Sequence, residues 1–357
     1  MKKLLGKTPS ELSQIACEVG LPSFAGKQIS QWIYQKKVST IDEMTNLSKQ
    51  GRAALGEQYE VGRRPYSQVA GSVDGTRKYL FPVSCTLLKG LDRVEKEDPG
   101  KVEDYSIEAV MIPDEDRRTL CVSSQAGCRM GCSFCMTGRQ GFHGNLSSAD
   151  IMNQFLSVDE SDSLTNTVFM GMGEPLDNYE NVERVIEILT SPWGWAWSPK
   201  RITLSTIGVV PVLRRFLDES RCHLAVSLHD PFPEERSSLM RVEDAYHIRD
   251  VVDLIRHYDF SGQRRVSFEY TMFSGLNDTP RHADALVHLL RGLECRVNLI
   301  RFHRIPDFPY TTTPDILMER FRDRLSSAGL TATIRASRGE DIYAACGMLA
   351  GRSTTAR

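Results

Sequence analysis

Nowhere does the 357-residue chain run through about 18 apolar residues without interruption, so no helix of it should cross a membrane. Its opening segment, MKKLLGKTPSELSQ, lacks the apolar core and small-residue cleavage site of a secretion signal, and the expectation is a cytoplasmic protein. Low-complexity linkers and short-period repeats are missing too, as is any large excess of charge: 44 Lys and Arg face 46 Asp and Glu, a net −2. With 41% hydrophobic and 25% charged residues, the composition excludes a disordered or collagen-like chain. The length suits one large domain with a smaller partner.

The near-zero sum hides an asymmetry. Residues 1–93 hold 14 basic and 8 acidic side chains, which leaves 30 basic against 38 acidic in the rest. A basic head on an acidic body is a modest signature of nucleic-acid binding, and on charge alone a chance excess explains it equally well. The nine cysteines are an odd set: Cys17, Cys85, Cys121, Cys128, Cys132, Cys135, Cys222, Cys295 and Cys346. In a reducing compartment they form no disulfide scaffold. Four of them lie between Cys121 and Cys135, and such clustering reads as metal or redox chemistry.

Thr8-Pro9-Ser10-Glu11 is a capping box with proline at the first helical position, and it predicts a helix over 8–20. Further helices are expected over 25–37 and near 47–56. The pattern then alternates with period two at Lys78–Val83 and Ser106–Ile112, two strands separated by a polar loop or hairpin end at Asp92–Lys101. From about residue 118 short apolar strands alternate with amphipathic helices. Strands are predicted at Leu120–Ser123, Thr167–Met170, Arg201–Ser205, Leu224–Leu228, Val266–Tyr270, Val297–Phe302 and Thr331–Arg335. Helices are predicted over 148–158, 179–190, 247–258, 280–292 and 314–327. Repeated βα units imply an α/β fold with a parallel sheet or barrel, whose function sits at the C-terminal strand ends. The domain boundary is expected near 95–105, giving a basic accessory domain at 1–95 and a catalytic domain at 105–350.

Immediately after the first βα strand stands Cys128-Arg129-Met130-Gly131-Cys132-Ser133-Phe134-Cys135, a C-x3-C-x2-C triplet. Three thiolates in one loop suit three irons of a [4Fe–4S] cube and leave the fourth iron open to chelate a ligand's amine and carboxylate. The competing reading is a zinc site completed by Cys121 or a distant residue. At the end of the next strand, Met170-Gly171-Met172-Gly173-Glu174-Pro175 lets a ligand approach the backbone, and Glu174 is placed to accept from a ligand ammonium. An ordinary turn would look the same. The alternating Trp193, Trp195 and Trp197 read as a packed surface loop in preference to an RNA-stacking platform. Cys17, Cys85, Cys222 and Cys295 lie outside every motif and read as packing residues.

Taken together, Leu120–Gln125, the triplet, Thr137–Phe142, Gly171–Pro175, Leu204–Pro211, Ala225–His229 and Arg335–Gly347 resemble the RlmN/Cfr family of radical S-adenosylmethionine (SAM) RNA adenosine methyltransferases, and its RlmN branch more closely. The resemblance spans nearly the whole chain. It implies a partial, TIM-like (βα) radical SAM barrel preceded by a small helical accessory domain and a short β segment. It also implies a [4Fe–4S] cluster on Cys128, Cys132 and Cys135, SAM as cofactor, and methylation of C2 of an adenosine in 23S ribosomal RNA and in the anticodon-loop region of transfer RNA. By that resemblance Cys346 is methylated and carries the carbon to the base, Cys121 resolves the adduct through a disulfide, and Glu108 accepts the C2 proton. SAM contacts fall on Gly173, Glu174, Ser205, Ser227, Leu228 and His229, with His303 where the family has asparagine. Ile207 also departs from the family's usual serine. A flavodoxin-like protein is the implied electron donor. C8 methylation in the manner of Cfr, or a zinc-stabilised RNA-binding protein, are the alternatives.

Overall fold

The computed structural model describes residues 1–86, 102–262 and 264–350. The expected loop at Asp92–Lys101, and most of the expected boundary region, lie outside them. Among the described residues ten strands form one sheet, and their order across the sheet follows the chain. They are β1 (Gln68–Gly71), β2 (Arg77–Thr86), β3 (Val102–Asp114), β4 (Arg117–Cys121), β5 (Asn166–Phe169), β6 (Ile202–Thr206), β7 (His223–Ser227), β8 (Val266–Met272), β9 (Arg296–Arg301) and β10 (Thr331–Ile334). The first four strands pair antiparallel, while β4 through β10 are parallel to one another. The far strand β10 has β9 as its neighbour and does not return to β4, so the barrel is partial and open, as expected.

Helices follow the strands and cover the convex face: α5 (Ser148–Ser157), α6 (Tyr179–Thr190), α7 (Val210–Glu219), α8 (Pro233–Leu239), α9 (Ile248–Ile255), α10 (Pro280–Leu289) and α11 (Asp315–Ser327). Ahead of the sheet lie α1 (Pro9–Glu18), α2 (Ala25–Ser30) and α3 (Lys49–Gln58), and a short α4 (Met136–Arg139) follows the cysteine triplet. The Thr8 capping box forms, with Thr8 accepting from the Glu11 amide and Glu11 accepting from the Thr8 amide. The helices α7 and α8 were not anticipated. Each carries proline in its first turn, which along the sequence reads as a break as readily as a helix start.

Strand alternation divides the sheet into two chemistries. Val226, Phe268 and Val297 share one cross-strand row and are wholly buried toward the helices. Ser227, Glu269, Asn298 and Thr333 form the adjacent row on the opposite, concave face. They are joined by hydrogen bonds from Asn298 to Glu269 (2.8 Å) and from Thr333 to Asn298 (2.8 Å). The apolar row anchors the fold and the polar row lines what it encloses.

The three tryptophans pack as the favoured reading expected. Trp195 and Trp197 meet Phe155 edge-on, and Trp193 meets Tyr34. Among the bystander cysteines Cys222 is buried and Cys295 half-buried, but Cys17 is exposed. The packing assignment fails for Cys17 because it occupies the outward stripe of α1, whose buried stripe is Leu12, Ile15 and Ala16. The Cys85 side chain lies outside the described residues.

One buried amide ties helix to sheet. Gln154, fully buried on α5, accepts from the Ser123 amide and donates to the Ser123 carbonyl, both at 2.9 Å. Ser123 Oγ in turn donates to the Glu108 carbonyl (2.6 Å) and accepts from the Met172 amide (2.8 Å). Replacing Gln154 with leucine strands two buried backbone groups, so denaturant titration should show a loss of about 2–4 kcal/mol.

Candidate active site

The triplet loop leaves β4 through a short antiparallel pair, Gln125–Gly127 with Phe142–Asn145. Gly127 is required there. Its φ is +71°, and a Cβ would sit 2.0 Å from the Gly141 carbonyl oxygen. The loop rests on a second apolar cluster, including Ile207, Leu239, Met240, Phe273 and Phe302, with Met130 and Phe134 packed against it. Burial pushes the Cys128 thiol up to about 12 and the Cys132 thiol well above its usual range, and the neighbouring thiols add to both shifts. Thiolates in such a place need a cationic partner, which a cluster supplies.

Three thiolates from one loop leave one position of a four-coordinate zinc, or one iron of a [4Fe–4S] cube, without a ligand from the triplet.

Next to the loop, Gly173 has φ +99°, and a Cβ there would meet the Gln125 side chain at 2.5 Å. Glu174 is buried and its carboxylate accepts from the amides of Leu176 and Ile207, each at 3.1 Å. Burial nevertheless raises its pKa to about 7. Ser205 and Ser227 are half-buried on the concave face. Leu228 has a wholly buried side chain; its amide donates to the Glu269 carbonyl and its carbonyl accepts from Arg236. His229 has φ +57°, and its Nδ1 accepts from the Thr271 amide at 3.0 Å. Burial, with Arg236 adding to it, lowers its pKa to about 3 and keeps it neutral. Both ring nitrogens of His303 are engaged, one with Ser337 (3.1 Å) and one with Glu340 (3.3 Å).

The last described segment, residues 335–350, straps across the front of this assembly. Gly339 donates to Asp74, Ser72 donates to Asp341, Met136 donates to the Gly347 carbonyl, and Thr137 donates to the Leu349 carbonyl. It carries Cys346, which is exposed to solvent, although the surrounding protein raises its thiol pKa by desolvation and Glu269 adds to the shift. The nearby Cys121 is buried. Burial raises its pKa, with Cys346 as the next contribution. Both are free thiols, so the disulfide implied by the resemblance is not formed in this state.

Glu108 is buried on β3. Its Oε2 accepts from the Ala350 amide (2.9 Å), and its Oε1 lies 3.2 Å from Lys78 Nζ. Strand register puts these groups on one face: Lys78 pairs with Val110, Val110 with Cys121, and Glu108 is two residues from Val110. Lys78 also donates to the Tyr343 carbonyl at 3.3 Å, so it joins the carboxylate to the strap. Sequence reading missed Lys78. The available signal was a lysine in an alternating strand, diagonal to a glutamate whose strand neighbours are apolar.

Two family models match the chain. The Radical SAM superfamily covers residues 122–286, and the ribosomal RNA large subunit methyltransferase N-terminal domain covers residues 2–61. The chain is 58% identical over 346 residues to a probable dual-specificity RNA methyltransferase RlmN of Porphyromonas gingivalis, spanning 97% of this chain and 96% of that one. It is 38% identical to the dual-specificity RNA methyltransferase RlmN of Syntrophus aciditrophicus, covering 96% and 94%. Among solved structures, a radical SAM methyltransferase from Sphaerobacter thermophilus superposes with a TM-score of 0.87 at 36% identity, covering 99% of this chain and all of that one.

The buried pair gives a stability test. Lys78→Met removes a buried cation that sits 3.2 Å from the Glu108 carboxylate and should cost about 3–5 kcal/mol in denaturant titration. Adding Glu108→Leu should recover most of that loss, since an apolar pair of similar volume replaces a desolvated ionic one.

Proposed function

This chain belongs to the RlmN family of radical SAM RNA methyltransferases, and on that footing we propose that it methylates C2 of an adenosine in 23S ribosomal RNA and in the anticodon-loop region of transfer RNA. The observation that carries this reading is the convergence of Cys346, Cys121 and Glu108. They come from three separate segments and meet on the concave face beside the cysteine triplet.

Cys128, Cys132 and Cys135 would hold a [4Fe–4S] cluster. When bound, the cluster and SAM supply the electron and the hydrogen-abstracting radical for the reaction. Gly173, Glu174, Ser205, Ser227 and His229 would position SAM. The Leu228 side chain is sealed in the core, so it acts by setting the local backbone. His303 would act through the strap, through Ser337 and Glu340.

Adenine C2 is an electrophilic carbon, so a nucleophilic methyl transfer cannot reach it. Cys346 instead carries the methyl carbon on its own sulfur. Its solvent access suits a group that must meet both a methyl donor and a base. Glu108 takes the C2 proton, held in place by Lys78 and the Ala350 amide. The Cys121 thiolate then attacks the Cys346 sulfur; the C–S electron pair passes to the released methylene carbon, which takes a proton to complete the methyl group, and the two sulfurs are left as a disulfide. We assign RNA gripping to residues 1–95, where Lys2, Lys27, Lys36 and Lys49 are exposed, and catalysis to 105–350. A flavodoxin-like protein is the proposed electron source, and the cytoplasm the proposed compartment.

Product mapping tests the reaction. Cluster-loaded protein, incubated anaerobically with SAM and RNA from a strain lacking the protein, should yield 2-methyladenosine on mass spectrometry of the digest. 8-Methyladenosine as sole product overturns the C2 assignment. Cys346→Ala should abolish turnover with four irons per chain retained.

Glu174 provides a pH test. Its carboxyl, raised to about 7 by burial, is neutral below that pH and loses its attraction for the SAM ammonium. SAM affinity, measured by anaerobic equilibrium dialysis on cluster-loaded protein, should fall toward about tenfold per pH unit below about 7. In Glu174→Gln it should be weak and flat across the same range.

A further inference from the structure

Beyond the methyltransferase centre, a second set of ligating side chains meets where the loop after β7, α8 and α10 come together. Asp230 follows His229 on the loop, Glu235 lies on α8, and His282 lies in the first turn of α10. One ligand atom from each stands within 4.8 Å of the others. His282 Nε2 is 2.9 Å from Glu235 Oε2 and 3.7 Å from Asp230 Oδ2.

The Asp230 side chain is fully buried. Its Oδ1 accepts from the Phe232 amide at 2.8 Å, but Oδ2 is enclosed with no hydrogen-bond partner. A buried carboxylate oxygen without a donor is costly and uncommon in a folded protein. It points toward the imidazole, whose Nε2 is already taken up by Glu235, so rearranging one proton cannot satisfy both carboxylates. A cation between the three ligand atoms satisfies all of them.

The surroundings are arranged for that. Thr279 Oγ1 lies 2.7 Å from His282 Nδ1, so Nδ1–H can donate outward and leave the Nε2 lone pair facing the carboxylates. The Phe232 ring packs edge-on against the imidazole and fixes its plane. Arg281 holds the other oxygen of Glu235 at 2.8 Å, away from the shared point. Glu235 is 29% exposed, which leaves an open side for water as a fourth ligand.

We propose that Asp230, Glu235 and His282 form a divalent transition-metal site of the zinc type, separate from the cysteine triplet. One imidazole and two carboxylates favour zinc over magnesium or calcium, which take oxygen ligands. The bound cation would pin the loop that carries His229 to α10, and with it α8, whose Arg236 reaches back to the carbonyls of Ser227 and Leu228.

The test uses cluster-loaded protein, so that the triplet cysteines are already occupied, with zinc chloride as the probe. Anaerobic dialysis and elemental analysis should find one zinc per chain beside four irons. Zinc-edge X-ray absorption should show only nitrogen and oxygen ligands, at about 2.0–2.2 Å. His282→Gln should weaken zinc binding at least tenfold with iron content unchanged. Glu235→Gln, at the partly exposed position, should do the same and serves if the buried variant fails to fold. Sulfur among the zinc ligands, no zinc retained by the wild-type protein, or wild-type affinity in a soluble variant overturns the site. None of these readouts depends on methyl transfer.

Discussion

A β-strand turns alternate side chains to opposite faces, so a slip of one residue in register exchanges everything a sheet buries for everything it displays. In this chain the exchange would be ruinous. The row of Val226, Phe268 and Val297 seals the convex face against the helices, and the next row places Ser227, Glu269 and Asn298 inside. The same parity runs on through β4, β3 and β2, where it sets Cys121, Val110 and Lys78 side by side with Glu108 two residues along. The apolar face makes the register unique, and the unique register assembles the polar one. Stability and chemistry are read from alternate letters of the same strands.

The concave face alone does not complete the centre. Cys346 reaches it on a segment with little regular structure, one short helical turn at Glu340–Ile342, held by hydrogen bonds to the Ser72–Asp74 turn, to α4 and to Glu108. Those bonds fall on the antiparallel strands and the triplet loop at once, so the strap is seated only when both are in place. Lys78 is the joint between them, touching the Glu108 carboxylate and the Tyr343 carbonyl. The strap is tied along its length by separate polar contacts instead of being packed into a core, which suits the carrier role proposed for Cys346.

How much of this was legible in the sequence follows from the range of each interaction. The parallel strands could be read because alternation and βα rhythm are local: all seven expected strands are present, six within a residue or two of their bounds and the first beginning three residues earlier than expected. The helix α7 escaped because it begins at Val210-Pro211, where proline reads as a break as readily as a first turn. The triplet was legible as chemistry, but choosing iron over zinc needed the likeness to known radical SAM proteins. Cys346, in Ala344-Ala345-Cys346-Gly347, has no local signal at all, and only the ordered motifs singled it out. Lys78 and Glu108 lie thirty residues apart, and nothing along the chain says that an antiparallel register will set them diagonally.

The Asp230 cluster shows the same limit from the other side. Asp230 and Glu235 are neighbours along the chain, but His282 lies 47 residues beyond Glu235, and all three sit in segments whose local reading is ordinary: a strand-to-helix loop, a short helix and a proline-led first turn. Ionisable residues in such places are normally solvated. Here α8 folds back so that Arg236 can reach the Ser227 and Leu228 carbonyls, and α10 lies close against it, which shuts the Asp230 carboxylate in with the imidazole. The buried arginine finds a carboxylate partner in Glu243, whereas Asp230 Oδ2 finds no hydrogen-bond donor. The two acids are nearly equally enclosed, yet only one is satisfied by the protein itself. That contrast within a single loop and helix, more than the count of acidic groups, is what distinguishes a ligand from a structural ion pair.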